Sequence, residues 1–250
     1  MKVIINADDF GYSQGQNKGI IEAHLNGVVT STTLLVNSKY FDEAVELSKQ
    51  NPSLGVGVHC VLDMGKPVSD IQLVKTLVDD NGLFRKHSET GKLNVELGEV
   101  YLELKAQIEK ALSVGIDVTH LDSHHHIHMH PEIFETFVKV AKEFSLPIRI
   151  SHTDNDKAYR STLNKYSVNY VYCLTDFYKV NLTPEYFKNI NEKAKGEDII
   201  EVMCHPAFVD DEIMNNSSYN IYRDTEREVL TDKKTKEYLN SVDLVTFKNI

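Results

Sequence analysis

Residues 116–150, IDVTHLDSHHHIHMHPEIFETFVKVAKEFSLPIRI, decide the fold. The apolar, β-branched run 116–121 predicts a strand. Residues 131–144 predict a helix, with Pro131 suited to its first turn. Residues 147–150 predict the next strand. Strand, helix, strand in this order is the unit of a parallel sheet with helices packed outside it. The same rhythm extends outward from this stretch. Upstream come a buried strand at 3–5, a helix at 16–25, a Thr-rich strand at 28–36, a helix at 42–50, a strand at 55–59 and a long helix at 95–114. Downstream, strands are expected at 168–174, 199–204 and 242–247. The pattern predicts an α/β fold, a distorted TIM-like (β/α) barrel of seven or eight parallel strands. A doubly wound open sheet is the competitor, but no Gly-rich phosphate loop follows the first strand.

The whole chain, 1–250, reads as one domain, because no linker, repeat or low-complexity tract interrupts it. One stretch breaks the rhythm. Residues 63–94 are polar, turn-rich and too long for a simple strand-to-helix loop, so they read as an insertion at the barrel mouth, a candidate lid. Composition narrows the function. There are 27 Lys+Arg against 37 Asp+Glu, a formal charge of −10, and the apolar fraction is 41%. Lysines scattered among acids argue against a nucleic-acid or anionic-membrane partner. No run of 18 apolar residues suggests a membrane span. Cys60, Cys173 and Cys204 stand far apart with no CxxC spacing, which fits a reduced, cytoplasmic location.

Polar residues gather where strands are expected to end. Asp8 and Asp9 fall just past the first strand, His59 ends the third, Asp122, His124 and His126 follow the fourth, and His205 follows the seventh. In a parallel barrel all of these lie on the C-terminal rim, where such folds place their sites. Residues 120–130 alone hold six of the 11 histidines. Imidazole is the commonest metal ligand. If that segment is extended, alternate residues His120, Asp122, His124 and His126 share one side. Two adjacent carboxylates can divide the work of a hydrolytic metal site, one on the ion and one free to take a proton. Taken alone, Asp8-Asp9 reads equally as a helix cap or Asx-turn, and a lone His at a strand end as a hydrogen-bonded structural residue. A Cys–His nucleophile is disfavoured, because Cys60 and Cys204 alternate away from their histidine neighbours into the core.

These motifs, in order, resemble a known family, the YdjC-like carbohydrate deacetylases, which include the chito-oligosaccharide deacetylases. The resemblance rests on Asn6-Ala7-Asp8-Asp9-Phe10-Gly11, Gly27 through Thr33, Gly57-Val58-His59, Met64-Gly65-Lys66-Pro67, His120 through His128, and Cys204-His205-Pro206. It implies a distorted barrel similar to the polysaccharide deacetylases and one divalent metal. By the same resemblance Asp9, His59 and His124 are the metal ligands, Asp8 the general base, and His205 the acid that protonates the leaving amine. Asp122 and His126 are expected to support the ligands or the substrate, and Lys66 to meet an anionic group such as a sugar phosphate. Ala207 departs from the family's usual Gly after His-Pro.

The implied reaction is hydrolysis of an N-acetyl group on an amino sugar, a chito-oligosaccharide or its phosphate, to acetate and a free amine. Mg²⁺ is the family's usual assignment, whereas one Asp with two His suits Zn²⁺, Co²⁺, Mn²⁺ or Fe²⁺ better. Two other readings compete. One is a different barrel metallohydrolase, an amidohydrolase or phosphoesterase, although those commonly carry His-x-His after strand one. The other is a non-catalytic metal- or sugar-binding protein. The expected partner is the small sugar substrate, and a homodimer is expected only because symmetric dimers are common.

Overall fold

Strands and helices alternate along the chain in the computed structural model, which describes residues 1–86 and 92–250. The order is β1 (Lys2–Phe10), α1 (Gln14–Leu25), β2 (Ser31–Leu34), α2 (Phe41–Gln50), β3 (Gly55–Cys60), α3 (Leu97–Ser113), β4 (Val118–Ser123) and α4 (Pro131–Phe144). Then come β5 (Ile148–Ile150), α5 (Asp156–Tyr166), β6 (Tyr170–Leu174), α6 (Ile190–Lys193), β7 (Ile199–Cys204), α7 (Asp211–Asn216), α8 (Tyr222–Thr231), α9 (Lys233–Leu239) and β8 (Asp243–Leu244). Among the described residues all ladders between these strands are parallel. β2 through β7 pair in sequence order, β7 pairs with β1, and β1 pairs back to β2, which closes a seven-stranded barrel. The expected eighth strand is only two residues long. It pairs with Lys2 and Val3, below the point where β2 joins β1 at Asn6.

Side-chain alternation sorts the barrel into two environments. Val3, Ile5 and Ala7 of β1, Val56, Val58 and Cys60 of β3, Leu121, Ile148, Ile150, Ile200, Val202 and Cys204 join one large apolar cluster with the helices. The residues between them are mostly polar and equally buried: Asn6, Asp8, His59, His120, Asp122, Arg149 and Glu201. Among the described residues a small apolar group, Ile4, Val171 and Phe247, forms a separate cluster. Fully buried charges are stable only when paired and hydrogen-bonded. A line of them inside the barrel therefore has to be one connected network, which is what the site below contains.

Two close approaches explain glycines. A Cβ on Gly57 would stand 2.5 Å from His120 Nδ1, so the glycine in β3 is what lets the His120 ring lie inside. That ring stacks on Phe247, with centroids 3.6 Å apart and planes 5° from parallel. Gly19 of α1 lies flat against Pro206 and Ala207, where any side chain would collide with backbone.

The insertion is docked rather than loose. Val74, Leu77, Phe84 and Leu93 are buried in the main apolar cluster. Glu103 of α3 accepts the N–H groups of Val68 and Ser69, both at 2.9 Å. Glu99 accepts the N–H and hydroxyl of Thr76. Part of the insertion, residues 87–91, lies outside the described residues. No helix among the described residues is long and apolar enough to cross a membrane.

Candidate metal centre

The sequence places Asp8 and Asp9 just past the first strand, but they lie within it, because β1 continues to Phe10. In regular extended backbone they would face opposite ways. Instead the β1–β2 register slips between Ala7 and Phe10, and Asp9 takes a left-handed φ of 68°. A bulge of this kind re-aims a side chain, and a non-glycine residue keeps such a φ only where its surroundings hold it. Both carboxylates consequently reach one cavity of about 530 Å³ at the C-terminal end of the strands.

Three donors converge there. Asp9 Oδ1 is 3.5 Å from His59 Nε2 and 3.6 Å from His124 Nδ1. The three residues each offer one ligand atom within 4.8 Å of the others. Asp9 Oδ1 is buried with no hydrogen-bond partner, whereas Asp9 Oδ2 accepts from Arg223 Nη1 at 2.9 Å. His59 Nδ1 is 2.7 Å from Asp122 Oδ1, so that nitrogen donates to the carboxylate and Nε2 is the ring nitrogen left facing Asp9. Thr33 Oγ1 donates to the other oxygen of Asp122 at 3.0 Å. A buried, unpartnered carboxylate oxygen facing two imidazoles is a poor arrangement without a cation and a good one with it. The donor set fits a divalent ion.

Arg149, from the short β5, organises the second acid. Its Nη1 and Nη2 donate to Asp8 Oδ2 and Oδ1 at 2.7 and 2.6 Å, and Nη2 is 2.9 Å from Asp122 Oδ2. Glu201 of β7 accepts from its Nε at 2.9 Å and from Nη2. Burial opposes the charge on Asp8, but the Arg149 guanidinium, its two hydrogen bonds, and then His59 and His205 hold the carboxyl far below the usual range. Asp9 is likewise held low against burial, by Arg223 first and then the histidines. Glu201 is the carboxyl that burial wins, pushed up to about 7 despite Arg149. Burial also lowers the His59 imidazole, yet Asp122, Asp8 and Asp9 outweigh it and raise it to about 9. His124 is lowered to about 4, chiefly by burial.

The rest of the rim is mixed. Asp122 lies inside β4 rather than beyond it. Alternation along β4 holds through His120 and Asp122 and then fails. Residues His124–Met129 form a turn of 3₁₀ helix in which His125 and His126 have left-handed φ values of 48° and 52°. His120 therefore packs lower in the barrel on Phe247, while His124, His125 and His126 all line the cavity. His126 is kept neutral, at about 3, by burial first and Arg149 second, and its Nδ1 has no partner. His205 follows β7 and lines the cavity, with Nδ1 3.8 Å from Glu226 Oε1. Glu226 also accepts the His205 backbone N–H and the Tyr219 hydroxyl. Ala207 is fully buried and donates its N–H to the Arg223 carbonyl at 3.0 Å, so the missing glycine is accommodated. Lys66 is exposed and outside the cavity lining, and the lysine found there is Lys86. All three cysteines are buried and unpaired by disulfides.

Sequence reasoning missed Arg149, Arg223, Glu201, Glu226, Tyr219, Asp63 and His125. Arg149 and Glu201 carried a signal. A charge flanked by aliphatics in a short inner strand, as in Ile148-Arg149-Ile150 and Ile200-Glu201-Val202, must point into the barrel and find a partner. Arg223 and Glu226 sit in α8, whose other charges are ordinary for a surface helix, and nothing local marks them.

Fold and site together define a TIM-like barrel with a buried Asp and His cluster at its C-terminal rim that could hold a metal ion. The family described as YdjC-like protein matches residues 2–241. A carbohydrate deacetylase of Brevibacillus brevis (strain 47) is 40% identical over the full length of both chains. One from Thermoanaerobacter pseudethanolicus is 36% identical over 97% of this chain and 96% of its own. The chain belongs to the YdjC-like family. A crystal structure from Enterococcus faecalis V583, of a protein named for cellobiose-phosphate cleavage, superposes with a TM-score of 0.92 at 35% identity, covering 99% of this chain and 98% of that one. A Thermus thermophilus protein named for lactam utilization shares the fold alone, at 17% identity and a TM-score of 0.59 over 98% and 99% of the two chains.

Proposed function

We propose that the barrel mouth hydrolyses the N-acetyl group of an amino sugar, a chito-oligosaccharide or its phosphate, using one divalent ion held by Asp9, His59 and His124. The curated relatives are named carbohydrate deacetylases, and that coarse activity is this chain's as well. The observation that carries the finer reading is the unpartnered Asp9 Oδ1 facing two imidazoles, with a second carboxylate, Asp8, on the same cavity.

An amide carbonyl is a poor electrophile and neutral water a poor nucleophile. A bound dication supplies the remedy to both, polarising the carbonyl and acidifying water. Asp8 takes the proton of the attacking water. A carboxylate held so low is a weak base, but it is fully ionised at any working pH, and Arg149 fixes its position. Breaking the C–N bond places a growing negative charge on nitrogen, and His205 delivers the proton that lets the amine leave. Glu226 stands behind His205 as the counter-charge. Neutral His126 lines the wall of the cavity that would take the sugar. Lys86, a cation on the cavity wall, supports a phosphorylated substrate better than the exposed Lys66 does.

The test is acetate release from N-acetylglucosamine oligomers, free and phosphorylated, with and without chelator, beside a phosphodiester panel. Chelation abolishes acetate release, and stoichiometric Zn²⁺ or Co²⁺ restores it. Acetate release unaffected by chelation overturns the metal assignment, and hydrolysis confined to phosphodiesters overturns the reaction. His205→Ala lowers kcat on the acetamido sugar about 10²–10⁴-fold. It lowers hydrolysis of an aryl acetate far less, because a phenolate leaves without a proton. Equal losses on the two substrates would remove His205 as the acid.

A further inference from the structure

The His124-His125 step places two imidazoles side by side, with centroids 3.8 Å apart, which extended backbone cannot do. His124 faces Asp9, and His125 is left over. Its partner is Asp63, from the start of the insertion, with His125 Nδ1 2.7 Å from Asp63 Oδ2. The Asp63 side chain is only 10% exposed, and its other oxygen, Oδ1, is buried without a hydrogen-bond partner. Asp63, His124 and His125 each offer a ligand atom within 4.8 Å of the others.

We propose that Asp63, His124 and His125 form a second cation site at the cavity mouth, for a borderline ion such as Zn²⁺, adjoining the Asp9–His59–His124 cluster and sharing His124 with it as a bridging imidazolate, whose ring N–H proton passes to solvent as the second ion binds. One carboxylate and two imidazoles form the three-ligand set that leaves a zinc coordination position open. Two nitrogen donors select against Mg²⁺ and Ca²⁺. The second site is the weaker one. His125 is 65% exposed, and both it and Asp63 give up their mutual hydrogen bond to take the ion. The chain's charge of −10 raises the local cation concentration and favours filling it. A cation there engages His124 from its outer side and stands in the mouth where the sugar enters, so excess zinc inhibits. The inhibitory consequence rests on the deacetylase reading, whereas the binding does not.

The experiment dialyses the metal-free full chain against rising free Zn²⁺ and counts bound zinc by elemental analysis, with acetate release followed in parallel. The wild type takes up two ions per chain in two steps. Asp63→Ala and His125→Asn take up one, the tighter. Asn is chosen at position 125 because it tolerates the left-handed backbone. Wild-type saturation at one ion overturns the proposal, as does a variant that still binds two. A variant that binds none overturns it too, by placing that residue in the first site. Acetate release by the wild type rises with the first ion and falls with the second, and the fall is absent from both variants. If no acetate appears at any zinc level, the deacetylase reading fails while the zinc count still decides the second site.

Discussion

Asp8→Asn lowers acetate release about 10²–10⁴-fold and leaves the bound metal unchanged. The reasoning is steric and electrostatic together. Asn has the shape of Asp but cannot hold a proton taken from water. Arg149 keeps Asp122 and Glu201 as partners, so the guanidinium stays paired and the fold holds. Asp8 also lies near His59 and Asp122, but both of its oxygens are claimed by Arg149 while Asp9 Oδ1 is unpartnered, so the ion is expected on Asp9 and not on Asp8. Asp9→Asn behaves oppositely. It replaces a carboxylate ligand by an amide and loses the ion itself. Elemental analysis and acetate release on both variants read the difference. If Asp8→Asn loses the metal and Asp9→Asn keeps it, the two aspartates have exchanged roles.

Arg149→Met destabilises the protein by about 3–5 kcal/mol, the cost of stripping the partner from a buried ion network. Arg149 has no exposed surface and holds Asp8, Asp122 and Glu201 simultaneously. Met fills much of the volume and supplies none of the charge, leaving three buried carboxylates facing one another. For a chain of this size the loss corresponds to a drop in Tm of roughly 6–20 °C. Thermal denaturation of the metal-free proteins at pH 7 measures it. A Tm within two or so degrees of wild type would mean that Arg149 positions Asp8 without supporting the barrel. Arg149→Lys falls between the two, because an ammonium keeps the charge but cannot reproduce the bidentate grip on Asp8.

The order of elements was legible because each carries its own period. The helix at Pro131–Phe144 and the strand at Ile199–Cys204 fall where sequence reading puts them. Strand ends were less legible. β1 runs on through two aspartates that read as a loop, because the barrel interior offers them arginine partners that sequence does not display. β2 is shorter than its apolar run, since Val28 and Val29 pack in the core without joining the sheet. Lys66 and Lys86 show the limit for surface cations. Both lie in the insertion, and only the way it docks on α3 decides which reaches the cavity.

From sequence alone came the barrel and its alternating environments, since hydrophobic period and strand–helix order are local properties written in consecutive residues. From sequence too came the expectation that Asp8, Asp9, His59, Asp122, His124, His126 and His205 share one rim, because a parallel barrel sends every strand's C-terminal end to the same face. The tertiary structure alone decided how two neighbouring aspartates came to share a cavity, which depends on a bulge at Asp9 held in place by the slipped β1–β2 register. It alone showed that Arg149 and Arg223 each claim one of them. Those pairings join residues 141 and 214 positions apart (149 − 8 and 223 − 9), and a charge pair at that separation leaves no periodic trace in the chain that makes it.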